Sequence, residues 1–326
     1  MSRLPSLLLM RPFLRQMVWG GRQLGEYYHK DLPADKPIGE SLEVSALPGM
    51  ESEVAGGVLA GWSLGRVMGE FGEELVGALA WERYGGDFPL LVKLLDPADD
   101  LSIQVHPDDQ DARAQGLGRW GKMEAWYVLR SEGGRLAHGL KAGVGRAELE
   151  AALAAGKVEE VVQFLPAYPG QVIFSPPGTV HALCAGVMIY EVQQSSDLTF
   201  RLYDYNRPGL DGKPRQLHLA QSLEVIDFAK SSPAPFDWRE RAGGLLVEAE
   251  HFSLRRCGPC QVAVMHPAGP AFAAFTVISG AAQIRGDGAQ VALRAGDTAL
   301  VPAGRPVEVL PAPECEYLVA TPGGGR

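Results

Sequence analysis

Short runs in which apolar and polar residues alternate recur along this chain, with turn-forming residues between them. LEVSAL (42–47), FPLLVKLL (88–95), LSIQVH (101–106), EAWYVL (124–129), QVIFSP (171–176), VMIYEVQQ (187–194) and LTFRLYDY (198–205) have the length and side chains of strands. Strands in such density, with few helices between them, predict a sandwich or barrel and not a parallel βαβ sheet. Three segments carry apolar residues at helical spacing: 63–85, opened by Ser63 as a cap, 145–165, broken at Gly156, and 217–228. They read as additions to a β scaffold, so the expected class is all-β dominated. KSSPAPFDW (230–238) predicts a linker. The expected organisation is a catalytic unit over 1–229, that linker, and a second, degenerate β unit over 239–326.

An internal repeat crosses the linker. GQVIFSPPGTVH (170–181) reads G-x5-P-x-G-x2-H, and GDTALVPAGRPV (296–307) reads G-x5-P-x-G-x2-V. Upstream, EAWYVLRSEGGRLAHG (124–139) has a counterpart in AAFTVISGAAQIRG (273–286). His181 thus corresponds to Val307 and Glu124 to Ala273. One copy keeps chemistry and the other is apolar, as expected of an active unit and a structural partner.

Composition narrows the classes. The 40 glycines and 24 prolines in 326 residues fit many tight turns. A net charge of −9 argues against a nucleic-acid or anionic-membrane surface, so an anionic substrate needs a locally basic pocket. The apolar run Leu7, Leu8, Leu9 after Arg3 stops at Arg11, too short for a signal peptide, and no apolar run is long enough to span a membrane. The chain is expected to be soluble and cytoplasmic. Cys257-Gly-Pro-Cys260 matches a dithiol pattern, but it interrupts a strand–turn–strand pattern instead of opening a helix, so a reduced turn pair is expected.

Gln104 and His106 in SIQVHPDD, Glu124 in GKMEAWYVL and His181 in SPPGTVHAL form the candidate metal set. Two apart on a strand, Gln104 and His106 share a face. Two imidazoles, a carboxylate and an amide suit Zn²⁺ or a similar first-row ion better than Ca²⁺ or a thiolate cluster. The plain alternative is a pair of hydrogen-bonded core histidines beside an unrelated carboxylate.

That signature, with a histidine two residues after a polar residue and a glutamate before the second histidine, resembles the metal-binding pattern of the cupins, small jelly-roll β-barrels. The set MVWGG (17–21), GESLEVS (39–45), FPLLVKLLD (88–96), LSIQVHPDD (101–109), GKMEAWYVL (121–129), PPGTVHAL (176–183) and IYEVQQSSDLTFRLYDYNR (189–207) resembles the type I phosphomannose isomerases in their short bacterial form. The resemblance implies a tandem cupin architecture. It also implies a zinc-dependent isomerisation of mannose 6-phosphate to fructose 6-phosphate, with one Zn²⁺ per chain. Carried over by motif, Gln104, His106, Glu124 and His181 match the zinc ligands, and Arg201 in SSDLTFR matches the catalytic arginine. Lys122, Lys93 and Glu191 fall in or near the pocket.

Proton transfer between C1 and C2 needs a base, a stabiliser for the developing oxyanion and a grip on the phosphate. Glu191 is the preferred base and Lys122 the other candidate. Arg201 suits an enediolate oxygen or a phosphate, its plain alternative being an ion pair with Asp197 or Asp204. Arg207, Lys213 and Arg215 form either a basic rim, with Arg207 as a substrate-binding candidate beside Lys93, or a solvated loop. His29, His138, His218, His251 and His266 are expected at the surface or in structural roles. Trp62, Trp81 and Trp126 are expected in the core, Trp126 with the option of walling the pocket. The expected partner is a small sugar phosphate, with no nucleic acid and no membrane, and the chain a monomer or weak homodimer. Two other functions fit the pattern: a metal-dependent cupin of dioxygenase type, and a sugar-binding regulatory cupin without turnover.

Overall fold

Strand faces must be covered by apolar neighbours or left to water, and the burial of each strand shows which course it takes. The computed structural model describes residues 3–229, 232–259, 263–266 and 268–324. Among them the strands form antiparallel sheets in two pairs. The first pair holds a seven-stranded sheet in the order Phe236–Asp237, Gln171–Ser175, Glu124–Ser131, Val187–Gln194, Leu90–Leu95, Ile38–Val44, Phe13–Gly21. Its partner is a five-stranded sheet in the order Phe200–Tyr203, Ile103–Val105, His181–Leu183, Arg135–Leu140, Val162–Pro166.

Leu90–Leu95 and Val187–Gln194 are buried at every residue, so both faces of this sheet are covered. Leu90, Val92, Leu94, Tyr190 and Val192 join a core with Phe252, Leu254, Leu318 and Ala320 of the C-terminal half. The alternate residues Lys93, Leu95 and Glu191 face the other way, into a cleft between the two sheets. Trp126, Val128, Leu136, Ile173, Leu183 and Ile189 pack between those sheets. The outer face of the five-stranded sheet is covered in part by Leu149 from the helix Arg146–Ala155 and Val225 from the helix Leu219–Val225.

The C-terminal half repeats the plan. Leu245–Glu248, Phe252–Cys257, Glu316–Pro322, Ala273–Ser279 and Thr298–Val301 form one sheet, and Val264–His266, Val307–Pro311, Ala281–Gly286 and Ala289–Arg294 the other. The two copies share a register: Glu124 lies opposite Ser175, and Ala273 opposite Val301. The halves also share a strand, because Leu8–Arg11 pairs with Thr298–Val301 through Leu8 and Leu300. At the expected linker, Phe236 and Asp237 are not free but pair with Val172 and Gln171.

The helical segments are shorter than their sequence patterns. Ser63 caps a helix by accepting from the Arg66 N–H, but Leu64–Val76 and Ala78–Tyr84 are separate helices. Gly77 divides them at φ 90°, a conformation only glycine adopts freely. After Gly156 the 145–165 segment is not helical: Val162–Pro166 is a strand paired with Arg135–Leu140. The Val-Gln-Phe-Leu alternation found an unpaired sheet edge, which outweighs helix spacing. Trp81 lies at the surface, 38% exposed, and not in the core. No helix among the described residues is long and apolar enough to cross a membrane.

One glycine ties this packing to the cleft. A Cβ on Gly39 would press on the Trp19 ring and lie 2.8 Å from Met17 Cβ, and both side chains line the cleft. Gly39→Ala is expected to cost about 1–3 kcal/mol through overpacking and to move Trp19. Chemical denaturation with tryptophan fluorescence reads both effects; a neutral change would mean that the site relaxes freely.

Candidate functional site

The strands deliver the site residues in rows. His181 lies opposite Gln104, and Gln104 opposite Arg201, so these three side chains stand side by side across adjacent strands of the five-stranded sheet. His106 follows one of those strands directly. On the facing sheet Glu191 lies opposite Lys93 on one side and Trp126 on the other, and Glu124 opposite Gln193. Lys122 precedes the Glu124 strand and reaches back beside it.

The side chains converge. His181 Nε2 lies 3.0 Å from Glu124 Oε1, His106 Nε2 3.4 Å from Glu124 Oε2, and the two Nε2 atoms 3.2 Å apart. Gln104 borders them, its Nε2 3.4 Å from His181 Nε2; turning the amide over would present oxygen instead. His106, Glu124 and His181 are each at most 2% exposed. His106 Nδ1 sits 2.8 Å from the Leu198 carbonyl and His181 Nδ1 2.9 Å from the Thr179 carbonyl. A carbonyl only accepts, so both Nδ1 atoms carry the proton and both Nε2 lone pairs point at the shared centre.

Charge is concentrated here. Lys122 Nζ lies 2.7 Å from Glu124 Oε2, 3.2 Å from His106 Nε2 and 3.5 Å from Glu191 Oε1. Lys93 Nζ stands 4.0 Å from Glu191 Oε2. Burial and the Lys122 cation push the His106 imidazole down to about 3, keeping it neutral. Burial works against the charged forms of Lys122 and Glu124, but their attraction outweighs it. The ammonium is held above the usual lysine range and the Glu124 carboxyl well below its own. Burial, with Glu124 adding to it, lifts Glu191 to about 7.

These atoms fit a divalent metal. Zinc bonds of 2.0–2.1 Å in a tetrahedron set donors about 3.3 Å apart. The 3.0, 3.2 and 3.4 Å separations among His106, Glu124 and His181 match that edge. The Lys122 ammonium meets Glu124 Oε2, whereas Oε1 accepts no hydrogen bond among the described residues and faces the His181 lone pair, which leaves it open to a cation.

Arg201 lines the same cleft, and its Nε is buried without a hydrogen-bond partner among the described residues. The ion pairs weighed for it are taken up elsewhere. Asp197 pairs with Arg15, 3.1 Å, and Asp204 with Arg207 and Arg215. Arg207 is held by Asp204 at 3.0 Å and Asp99 at 2.9 Å and is not among the residues lining the cleft, whereas Arg215 is. Lys213 is exposed.

The phosphomannose isomerase type I catalytic-domain model matches residues 7–129. A mannose-6-phosphate isomerase of Streptococcus mutans is 34% identical over 299 residues, covering 90% of this chain and 92% of that one. One from Bacillus subtilis is 32% identical over 302 residues, 91% of this chain and 93% of the other. The chain belongs to the type I phosphomannose isomerase family. A crystal structure of mannose 6-phosphate isomerase from Bacillus subtilis superposes with a TM-score of 0.83 at 30% identity, over 97% of this chain and 99% of that one.

For a phosphomannose isomerase of this family the cleft also holds residues that sequence reasoning missed. Arg15 hydrogen-bonds Asp197 through both terminal nitrogens and reaches Glu40 at 3.3 Å. Its signal was strand alternation: Arg15, Met17 and Trp19 lie two apart and all line the cleft. Trp126 walls the cleft, its ring edge-on to His181 at 5.4 Å. His138 is buried, opposite His181 in the ladder, and burial lowers it to about 4. Its Nε2 has no hydrogen-bond partner among the described residues. His251 and His266 hold the Tyr84 and Tyr317 hydroxyls at 3.1 and 2.9 Å. Cys257 ends a strand with a free, half-buried thiol; Cys260 lies outside the described residues.

Zinc titration of metal-stripped protein is expected to saturate at one ion per chain. Free zinc at a hundred times its dissociation constant should raise stability by about 2.7 kcal/mol. His106→Ala and His181→Ala should each abolish that gain while the metal-free melting temperature survives. Equal zinc stabilisation of the variants would place the ion elsewhere.

Proposed function

We propose that the chain is a metal-dependent aldose–ketose isomerase that interconverts mannose 6-phosphate and fructose 6-phosphate. One Zn²⁺ per chain would be held by His106, Glu124 and His181, with Gln104 beside them as the fourth ligand. The observation that carries this reading is the meeting of those ligands with Lys122 and Glu191 in one cleft of a phosphomannose isomerase family member. An imidazole–carboxylate set without thiolate supports zinc over calcium. The paired antiparallel sheets support a tandem cupin reading, two jelly-roll barrels joined near 230–238, with Leu8–Arg11 crossing from the first to the second.

Open-chain mannose 6-phosphate carries an aldehyde at C1 and a hydroxyl at C2. Removal of the C2 proton lets that electron pair form the C1=C2 bond of an enediol while O1 takes up a proton. Delivery of a proton to C1, with loss of the O2 proton, gives the ketone. Glu191 is the base in this reading: its carboxylate faces the cleft beside the metal set without belonging to it, and Lys93 steadies it. Lys122, between Glu124 and Glu191, carries protons to and from the sugar oxygens. Arg201 supplies fixed positive charge in the cleft; Asp197 and Asp204 attract it from a distance, but no carboxylate among the described residues is in ion-pair contact with it. Arg207, the other substrate-binding candidate, is held by Asp99 and Asp204 and is not among the residues lining the cleft. A bound zinc ion would add a Lewis acid for the substrate oxygens.

Zinc-loaded protein given mannose 6-phosphate should form fructose 6-phosphate, stop on chelation and recover with zinc. Glu191→Gln should lower kcat by roughly 10²–10⁴ with zinc content and substrate affinity kept, the range for a lost general base. A folded, metal-replete protein that forms no product, or that consumes oxygen with iron bound, would defeat the reading.

A further inference from the structure

Lys122 is not part of the strand it reaches beside. It lies in an irregular segment, 115–123, between the helix Asp109–Ala114 and the strand Glu124–Ser131, with glycines at 116, 118 and 121. A segment of this kind has no ladder of its own, so its backbone groups need partners from elsewhere. Without them a lysine carried on it would wander, because its long flexible stem adds to the freedom of the backbone.

The partners come from two directions. Asp109 Oδ1 accepts the Gly121 N–H at 2.7 Å and a Gln194 Nε2–H at 2.9 Å. Gln194 Oε1 accepts the Met123 N–H at 2.9 Å, and the Gln194 backbone N–H donates to the Met123 carbonyl at 3.2 Å. Between them the Lys122 N–H donates to the carbonyl of Pro107, the neighbour of His106, at 2.9 Å. A carboxylate only accepts and a backbone N–H only donates, so the Gln194 amide can stand only this way round. Gln194 is 1% exposed and Asp109 is half-buried. Close approach of the two segments needs Gly121, where a Cβ would lie 2.3 Å from the Asp108 carbonyl carbon. Each N–H of 121–123 is thus tied, two of them through one carboxylate–amide pair.

Proton transfer tolerates little displacement, and a shift of about 1 Å can cost a hundredfold in rate. The Lys122 ammonium stands 2.7 Å from Glu124 and 3.5 Å from Glu191, so its place follows from where 121–123 sits. Asp109 is not among the residues lining the cleft. Nor does it cap its helix, since Asp108 does so by accepting from the Asp111 N–H. We propose that Asp109, acting through Gln194 and the Gly121 N–H, is the positioning residue of Lys122. The inference rests on the isomerase reading and explains how a glycine-rich segment can carry the proton shuttle.

Kinetics of the zinc-loaded full chain with mannose 6-phosphate, run beside zinc titration, test this. Asp109→Ala should lower kcat roughly ten- to hundredfold and leave KM and zinc affinity as they were. Asp109→Asn, whose amide oxygen can still accept from both donors, should recover most of the loss. In a Lys122→Gln background Asp109→Ala should cost nothing further, because its effect passes through Lys122. Asp109→Ser takes the place of the alanine variant if that fails to fold. Equal losses in both backgrounds, or a loss that falls on zinc affinity or KM, would overturn the assignment. Hydrogen exchange judges the clamp apart from turnover: Asp109→Ala should speed exchange in 115–123 and spare 124–131, and unchanged exchange in 115–123 would also overturn it. Wild-type protein that forms no fructose 6-phosphate would defeat the function proposed above, and the exchange comparison would still decide the clamp.

Discussion

Two neutral imidazoles cannot hold their bare Nε2 lone pairs 3.2 Å apart inside a protein unless positive charge stands beside them. The rest of the cleft follows from that constraint. The Leu198 and Thr179 carbonyls fix the tautomers, so the lone pairs have nowhere else to point. Glu124 brings negative charge to the same spot, and Lys122 answers it at 2.7 Å. Removing either charged partner, Lys122 or Glu124, would strand the other as an unpaired buried charge.

The sheets hold this arrangement because each supplies only part of it. The five-stranded sheet presents His181, Gln104 and Arg201 in one row, while the facing sheet presents Glu124, Lys93 and Glu191. A slip of one residue in either register would turn these side chains into an apolar core and bring leucines and valines into the cleft. The full burial of Leu90–Leu95 and Val187–Gln194 guards against that slip, since the C-terminal half requires their apolar alternates on its own side.

Strand alternation and the Gly-Pro-His spacing made much of this legible beforehand. Alternation put Gln104 and His106 on one face, the family resemblance joined Glu124 and His181 to them, and the β-rich class followed from the short runs. What they could not show was long-range pairing. Nothing local in Leu8–Arg11 says that it joins Thr298–Val301, and nothing local in Val162–Pro166 says that a free edge at Arg135–Leu140 will claim it from a helix. The same limit explains the arginines. Arg207 and Arg215 look alike in the sequence, and only the fold shows that Asp99 and Asp204 take the first while the second turns to the cleft. Arg15 sat far from the signature and was passed over although its strand face contained Trp19.

The strand Leu8–Arg11 has a further consequence, for the order in which the molecule is made. It is synthesised long before its partner Thr298–Val301, which lies far along the chain. During synthesis the first half can assemble its facing sheets, with Glu53–Val54 on one edge of this strand, while the other edge waits for residues 298–301 to emerge. The pairing that ties the two halves together therefore comes late, and a nascent chain stopped before residue 298 would leave that edge of the strand open.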